Sequence, residues 1–197
     1  MTVADLAHRT YVALVHHPVL DKEGQQVTTA VTNLDIHDIA RASRTFGLAG
    51  YYVVTPITAQ RELVAQIVGH WTRGAGREHN DKRTDALSLV TIVPSIEDAI
   101  ADVTAQGGRP FVVATGARRR GASTGYGELR AARLTQDTPM LVVFGTGWGL
   151  AEPVFAGADC VLAPIAGPDP NDHYNHLSVR SAVAIVLDRL FGTPERF

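Results

Sequence analysis

Short apolar runs separated by stretches of helical periodicity recur along the whole chain, and this alternation narrows the available folds more than any other feature. YVALV (11–15), YYVVT (51–55), LSLVTIV (87–93), PFVVAT (110–115), PMLVVF (139–144) and CVLAPI (160–165) each have the length and β-branched content of a buried strand. Between them lie amphipathic patterns. NLDIHDIARASRTFG places Leu34, Ile36, Ile39, Ala40, Ser43 and Phe46 near helical spacing, with either Asn33 or Asp35 as N-cap and Gly47 as the stop. ITAQRELVAQIVGHW and SIEDAIADVTAQ read as further helices, the second capped by Ser95 with acids in its first turn. HLSVRSAVAIVLDRL (176–190) closes the series as a mostly apolar helix. Strands alternating with helices predict an α/β fold whose parallel sheet is covered on both faces. With 197 residues, a single domain spanning 1–197 is expected.

Composition excludes several classes. The chain is 45% hydrophobic and 19% charged, and no apolar run reaches the roughly 18 residues of a membrane span. MTVADLAHRT lacks the basic and apolar regions of a signal peptide, and the single Cys160 cannot form an intramolecular disulfide, so a cytoplasmic protein without membrane association is expected. CVLAPI surrounds that thiol with apolar residues, which reads as packing rather than catalysis. A net charge of −2 advertises no nucleic-acid partner, but its distribution is uneven. From Arg109 to Arg133 there are six arginines against one acid, Glu128, and from Arg73 to Arg83 four basic residues against two acids. Local patches, or merely solvated loops, follow from such runs.

Three strand ends carry unusual loops: VVATGARRR (112–120), VVFGTGWGL (142–150) and LAPIAGPDPNDHYNHLSVRSAVAI (162–185). A dinucleotide fingerprint would need G-x-G-x-x-G in the first βα unit and an acid about 20 residues on. Here Gly145, Gly147 and Gly149 make G-x-G-x-G, one strand follows, and Asp169 sits in a loop. No Gly-Lys-Ser/Thr follows either, which removes a P-loop. Ligands of parallel α/β sheets gather at the carboxyl ends of strands, so three such loops together point to one small molecule.

These segments resemble the SPOUT family of RNA methyltransferases. NLDIHDIARASRTFG is similar to its first motif, with Asn33 at the head and Arg41 five residues before Phe46. VVFGTGWGL is similar to the second motif and APIAGPDPNDHYNHLSVRSAVAI to the third, while VVATGARRR resembles a segment of the ribose-methylating branch. Within the family, YVALVHHPVLDKEGQQVTTAVTNLDIHDIARASRTFG resembles a bacterial RNA-methyltransferase-like domain sometimes fused behind a tRNA guanine-N1 methyltransferase. The resemblance covers about residues 10–191. It implies a C-terminal trefoil knot over roughly 110–191, an obligate homodimer, S-adenosylmethionine (SAM) as cofactor and RNA, in particular tRNA, as substrate. A ribose 2′-hydroxyl is the first expectation for the acceptor. The alternatives are a base nitrogen such as guanine N1, or a non-catalytic RNA-binding protein that keeps the cofactor pocket.

The same resemblance implies roles for particular residues. Arg41, Asn33 and Ser178 would serve catalysis. Thr115 and Gly116, then Phe144, Gly145, Thr146 and Gly147, would meet the cofactor from two loops. The third loop would add Ile165, Gly167, Tyr174, His176, Leu177 and Val179. RNA would meet Arg118, Arg119 and Arg120, and His16 and His17 at the end of the first strand, where a turn is the other reading. There are departures from the family pattern. Gly147 or Trp148 stands where the second motif carries an acid, and His176, Ser178 and Arg180 replace the usual residues of the third, so the catalytic scheme of other branches does not carry over residue by residue.

Methyl transfer from a sulfonium is an in-line displacement in which orientation and removal of a proton are the protein's work. An arginine is a poor base, so orientation and stabilisation of developing charge fit Arg41 better. An ion pair with Asp35 or Asp38 is its other reading. His37 and Asp38 lack a second ligand pair, and no metal is expected. Trp148 either packs over its loop or stacks on a base.

Overall fold

A computed structural model describes residues 1–74, 76, 80–169, 171–172 and 174–193. Six parallel strands form one sheet in the order β5-β4-β1-β7-β6-β8: β1 Thr10–Val15, β4 Gly50–Val54, β5 Val90–Val93, β6 Phe111–Ala114, β7 Met140–Gly145 and β8 Cys160–Val161. A small antiparallel pair, β2 (Val19–Leu20) with β3 (Gln26–Val27), follows the central strand β1. Among the described residues the helices are α1 Val3–Ala7, α2 Asn33–Thr45, α3 Thr58–Thr72, α4 Asp81–Leu87, α5 Ile96–Gly107, α6 Tyr126–Arg133, α7 Glu152–Ala156 and α8 Val179–Phe191.

Alternation along the central strands builds two cores. Val12 and Leu14 of β1, Tyr51 and Val53 of β4, and Val142 and Phe144 of β7 pack with Ile36, Ile39, Val64, Leu87, Leu129 and Leu187, so α2, α3, α4, α6 and α8 cover that face. Ala13, Val15, Tyr52, Val54, Leu141 and Val143 face the other way, against Ile96, Ala99 and Val103 of α5 and Val154 of α7. All six residues of β1 are buried, as a strand sandwiched between two helical layers must be. The expected α/β architecture is therefore present. Chain order places β4 on one side of β1 and β7 on the other, and such a switch leaves a crevice at the carboxyl edge.

Several boundaries differ from the sequence reading. Thr32 caps α2, its hydroxyl accepting from the Asp35 amide at 3.3 Å, in place of Asn33 or Asp35. Its short β-region side chain sits one position ahead of the helix, where a cap of about 1 kcal/mol forms. Leu87 ends α4 rather than opening a strand, because Asn80 caps a helix inside the loop that the 73–86 composition suggested. CVLAPI is extended only at Cys160–Val161, and the apolar helix begins at Val179, since Ser178 caps it through the Ser181 amide at 3.2 Å. Arg77, Glu78 and His79 of the basic 73–83 stretch, and Pro170 and His173 of the third motif, lie outside the described residues. Cys160 is half-buried with its thiol pushed up by burial, as an unreactive packing residue would be.

Candidate active site

The carboxyl ends of β6, β7 and β8, residues between Leu20 and Asp35, and the start of α8 enclose a cavity of about 780 Å³. All three loops singled out by their composition reach it. The turn after β7 depends on glycine at two positions. A Cβ on Gly145 would stand 2.6 Å from the Leu150 amide nitrogen, and one on Gly147, at φ +59°, would stand 2.9 Å from the Leu20 carbonyl. The turn is tied down from β1: the Thr146 amide donates to Val15 O at 3.2 Å and its hydroxyl donates to the same carbonyl at 3.1 Å. Thr146 also shares a short hydrogen bond with Thr29, whose hydroxyl meets His16 Nδ1 at 3.1 Å. Across the cavity, Asn175 Nδ2 donates to Ala117 O at 2.8 Å and Ile165 O at 2.7 Å, which pins the first loop to the third.

One charged group is buried in the wall. The Asp35 side chain is 7% exposed; Arg180 Nη1 donates to its Oδ1 at 2.8 Å and the Thr32 hydroxyl to its Oδ2 at 2.7 Å. Arg180 Nε lies 3.4 Å from Asp38, so one guanidinium serves two carboxylates of α2. At the mouth, Trp148 is 54% exposed and meets the His176 ring edge-on at 6.3 Å, and the Tyr174 ring lies tilted at 5.4 Å from His176.

Most residues expected at a cofactor come together here. Thr115, Gly116, Phe144, Gly145, Thr146 and Gly147 line the cavity from the first two loops. Ile165, His176, Leu177 and Val179 line it from the third. Gly167 and Tyr174 are exposed and form no part of the lining. Ser178 does line it, but its hydroxyl is occupied as the α8 cap. Arg118 and Arg120 reach the rim, Arg120 stacked 4.0 Å over Phe155 and paired with Glu152, while Arg119 stands exposed beside them.

The histidine pair requires a correction. His16 is fully buried rather than facing RNA; burial pushes its pKa down to about 4 and leaves its ring neutral. The chain stays buried one residue past the end of β1, where the Thr29 hydroxyl receives the His16 ring. His17 is half-buried, and its Nδ1 contacts the Thr28 hydroxyl at 3.0 Å.

Arg41 and Asn33 are placed elsewhere. They line a second cleft of about 640 Å³ between α2, α3 and α4, with Leu34, His37, Leu63, Trp71 and Arg83. Arg83 lies 4.5 Å over the Trp71 ring, and His37 and His70 meet that ring edge-on at 5.8 and 5.1 Å. Burial, reinforced by Arg83, pushes the His37 pKa down. The ion pair read as Arg41's alternative belongs to Arg180 instead. Asp35, Arg180 and Asn175 are the site residues that sequence reasoning missed. The sequence offers Asp35 as a cap or as an ion-pair partner of Arg41, and nothing in the spacing couples position 35 to position 180. Among the described residues no group of three or more His, Cys, Asp or Glu is placed to hold a metal.

Residues 9–192 match a family described as SAM-dependent RNA methyltransferase. The chain belongs to that family. The chain is 49% identical over 183 residues, 92% of its length, to a protein of Oleidesulfovibrio alaskensis named tRNA (guanine-N(1)-)-methyltransferase, but it spans 42% of that relative's length. It is 39% identical over 92% of its length to an uncharacterized protein of Aquifex aeolicus, and there it spans 88% of the relative. Among solved structures, the SpoU methyltransferase AviRb of Streptomyces viridochromogenes in complex with AdoMet matches with a TM-score of 0.53, at 16% identity, over 92% of this chain and 56% of that one. That likeness is one of fold, and it agrees with the SPOUT assignment.

The cavity suits the SAM that the family uses. Gly145 and Gly147 leave bare backbone in the wall, since a Cβ at either would collide with the chain itself, while Phe144, Leu162 and Ile165 supply apolar surface for a purine ring. Bound there, SAM would supply an electrophilic methyl group on a sulfonium. The protein would exclude water, orient the nucleophile and accept its proton.

Proposed function

We propose that this methyltransferase acts on tRNA and delivers the methyl group to N1 of a guanine, as a homodimer. The observation that carries the reading is the convergence of three glycine-rich or proline-rich strand ends on one cavity with exposed Trp148 at its mouth. A flat aromatic face beside a cofactor pocket is suited to stacking a splayed-out base. The name of the Oleidesulfovibrio relative supports guanine N1 over the ribose hydroxyl expected from the sequence, although that relative is more than twice as long as the matched region. A ribose 2′-hydroxyl stands as the second reading, supported by the Thr115–Arg120 loop, which resembles the ribose-methylating branch and lines the cavity.

A homodimer accounts for the separation of Arg41 and Asn33 from the cavity within one chain. Leu34 is 59% and Leu63 47% exposed at the mouth of the second cleft, an apolar rim that a second copy would cover. Docking of that cleft over a partner's cavity would bring Arg41 to the developing charge, with Arg118 and Arg119 free for phosphates.

The test is incubation of the purified protein with labelled SAM and unmodified tRNA transcripts, followed by mass spectrometry of the nucleosides. 1-Methylguanosine is expected. A 2′-O-methylated nucleoside would replace the first reading by the second, and tight SAM binding without transfer to any RNA would overturn both. Sedimentation should give a dimer that Leu34→Arg dissociates; a wild-type monomer would overturn the dimer.

A further inference from the structure

The second motif of this chain has lost its acid, yet the folded protein puts a carboxylate into the same cavity from a different element. Two described carboxylates line it. Asp21 shapes a turn, accepting from the Gln25 amide at 2.8 Å. Asp35 is buried at the cavity wall between α2 and α8. We propose that Asp35 is the proton acceptor of methyl transfer, held in place by Arg180 and Thr32 as positioning residues. The inference rests on the methyltransferase reading but not on the choice of acceptor atom.

Three observations support the assignment. First, Asp35 is a carboxylate withdrawn from water and held by a cation that stays partly exposed, which is poor stabilisation compared with apolar packing, so its place on a cavity wall calls for another role. Second, among the described residues each Asp35 side-chain oxygen has one donor, Arg180 Nη1 on Oδ1 and the Thr32 hydroxyl on Oδ2. A carboxylate accepts about four hydrogen bonds, so capacity remains for a donor entering the cavity. Third, no other described group in the lining is as suitable. Ser178 is committed to its helix cap and His176 stands exposed at the mouth.

The step balances simply. The proton on guanine N1, or on a ribose hydroxyl in the second reading, passes to the Asp35 carboxylate. The electron pair left on the acceptor atom forms the bond to the methyl carbon as the carbon–sulfur bond breaks, and that pair stays on sulfur. Among the described residues, the charged and titratable groups around Asp35 are Arg180 from α8, His16 just after β1, Tyr51 from β4, whose hydroxyl donates to the Asp35 carbonyl at 3.4 Å, and Asp38 on α2 itself. His16 is neutral above about pH 4, which leaves Arg180 as the nearest cation.

The test is single-turnover transfer from saturating SAM to unmodified tRNA transcripts, with SAM affinity by calorimetry and thermal melting run in parallel. Asp35→Asn should be slower by about 100-fold or more, with SAM affinity and melting temperature near wild type, and Asp35→Glu, which keeps a carboxylate, should recover about tenfold of that loss. Asp35→Asn should also bind unmodified tRNA about tenfold more weakly in the presence of S-adenosylhomocysteine, since a carbonyl and an amide replace two anionic acceptors. Arg180→Gln removes the cation that holds the carboxylate in place, and should slow transfer by about tenfold at unchanged SAM affinity, with Arg180→Lys recovering part of the rate. This second pair of variants decides the matter should Asp35→Asn fail to fold. An Asp35→Asn rate close to wild type, parallel loss of SAM binding and rate, or an Arg180→Gln rate equal to wild type would overturn the assignment. Absence of transfer by the wild type overturns the methyltransferase reading itself, and the Asp35 role with it.

Discussion

Helix α2 separates two hollows that differ in how they are built. On one side Asp35, buried and paired with Arg180, faces a cavity one wall of which is backbone, at Gly145 and Gly147, where a Cβ would run into the chain itself. On the other, Asn33, His37 and Arg41 face a cleft whose walls are side chains, with Trp71 at the centre of two edge-on histidines and a stacked arginine. Backbone walls fix shape and suit one recurrent ligand. Side-chain walls present charge and aromatic surface that adapts to a partner. The division of labour follows: the first hollow is suited to a cofactor, and the second, carrying Arg41 and an apolar rim, to a macromolecule.

The largest expected effect breaks the backbone wall. Gly145→Val places two methyl groups beyond a Cβ already 2.6 Å from the Leu150 nitrogen, so the β7 turn must move and SAM binding by calorimetry should be lost. Unchanged binding would show that the wall is not where the cofactor rests. Next, Arg41→Ala should lower the transfer rate by about 100-fold, or about 3 kcal/mol of transition-state stabilisation, while SAM affinity holds within about twofold. Loss of both together would dissolve the distinction between the hollows.

A smaller effect concerns pH. His16 has its pKa lowered to about 4 in the folded protein from 6.5, so the unfolded chain takes up the proton first. Stability should therefore be complete above pH 6.5 and fall as pH drops toward 4. The loss by pH 5 is about 2 kcal/mol in urea titrations, and His16→Gln should flatten that dependence. The smallest effect is at the cavity mouth. Trp148→Ala should weaken tRNA binding by about fivefold, roughly 1 kcal/mol, with little change in melting temperature because the ring is exposed. A large drop in stability would mean the ring packs rather than stacks.

What the sequence made legible follows from range. Strands β1, β4, β6 and β7 and helices α2, α3, α5 and α8 are visible because alternation and helical spacing are local properties. The three loops were recognisable by composition, and ten of the twelve residues expected at the cofactor do line the cavity. Helix starts were off by one to three residues because hydroxyl caps at Thr32 and Ser178 compete with neighbouring polar residues of similar propensity. The coupling of Asp35 to Arg180, and of Asn175 to two loops, joins positions far apart in the chain, and no periodicity encodes it. His16 looked solvent-facing because a histidine ends the apolar run, whereas Thr29, thirteen residues on, supplies the partner that lets it stay inside.

Hydrogen–deuterium exchange of the intact chain with and without SAM tests most directly which hollow is the cofactor's. Slowed exchange is expected at Thr115–Ala117, Gly145–Gly149 and Asn175–Ser178, with none at Leu63–Trp71. Protection confined to Leu63–Trp71 and the outer face of α2 would contradict the assignment of the two sides of that helix.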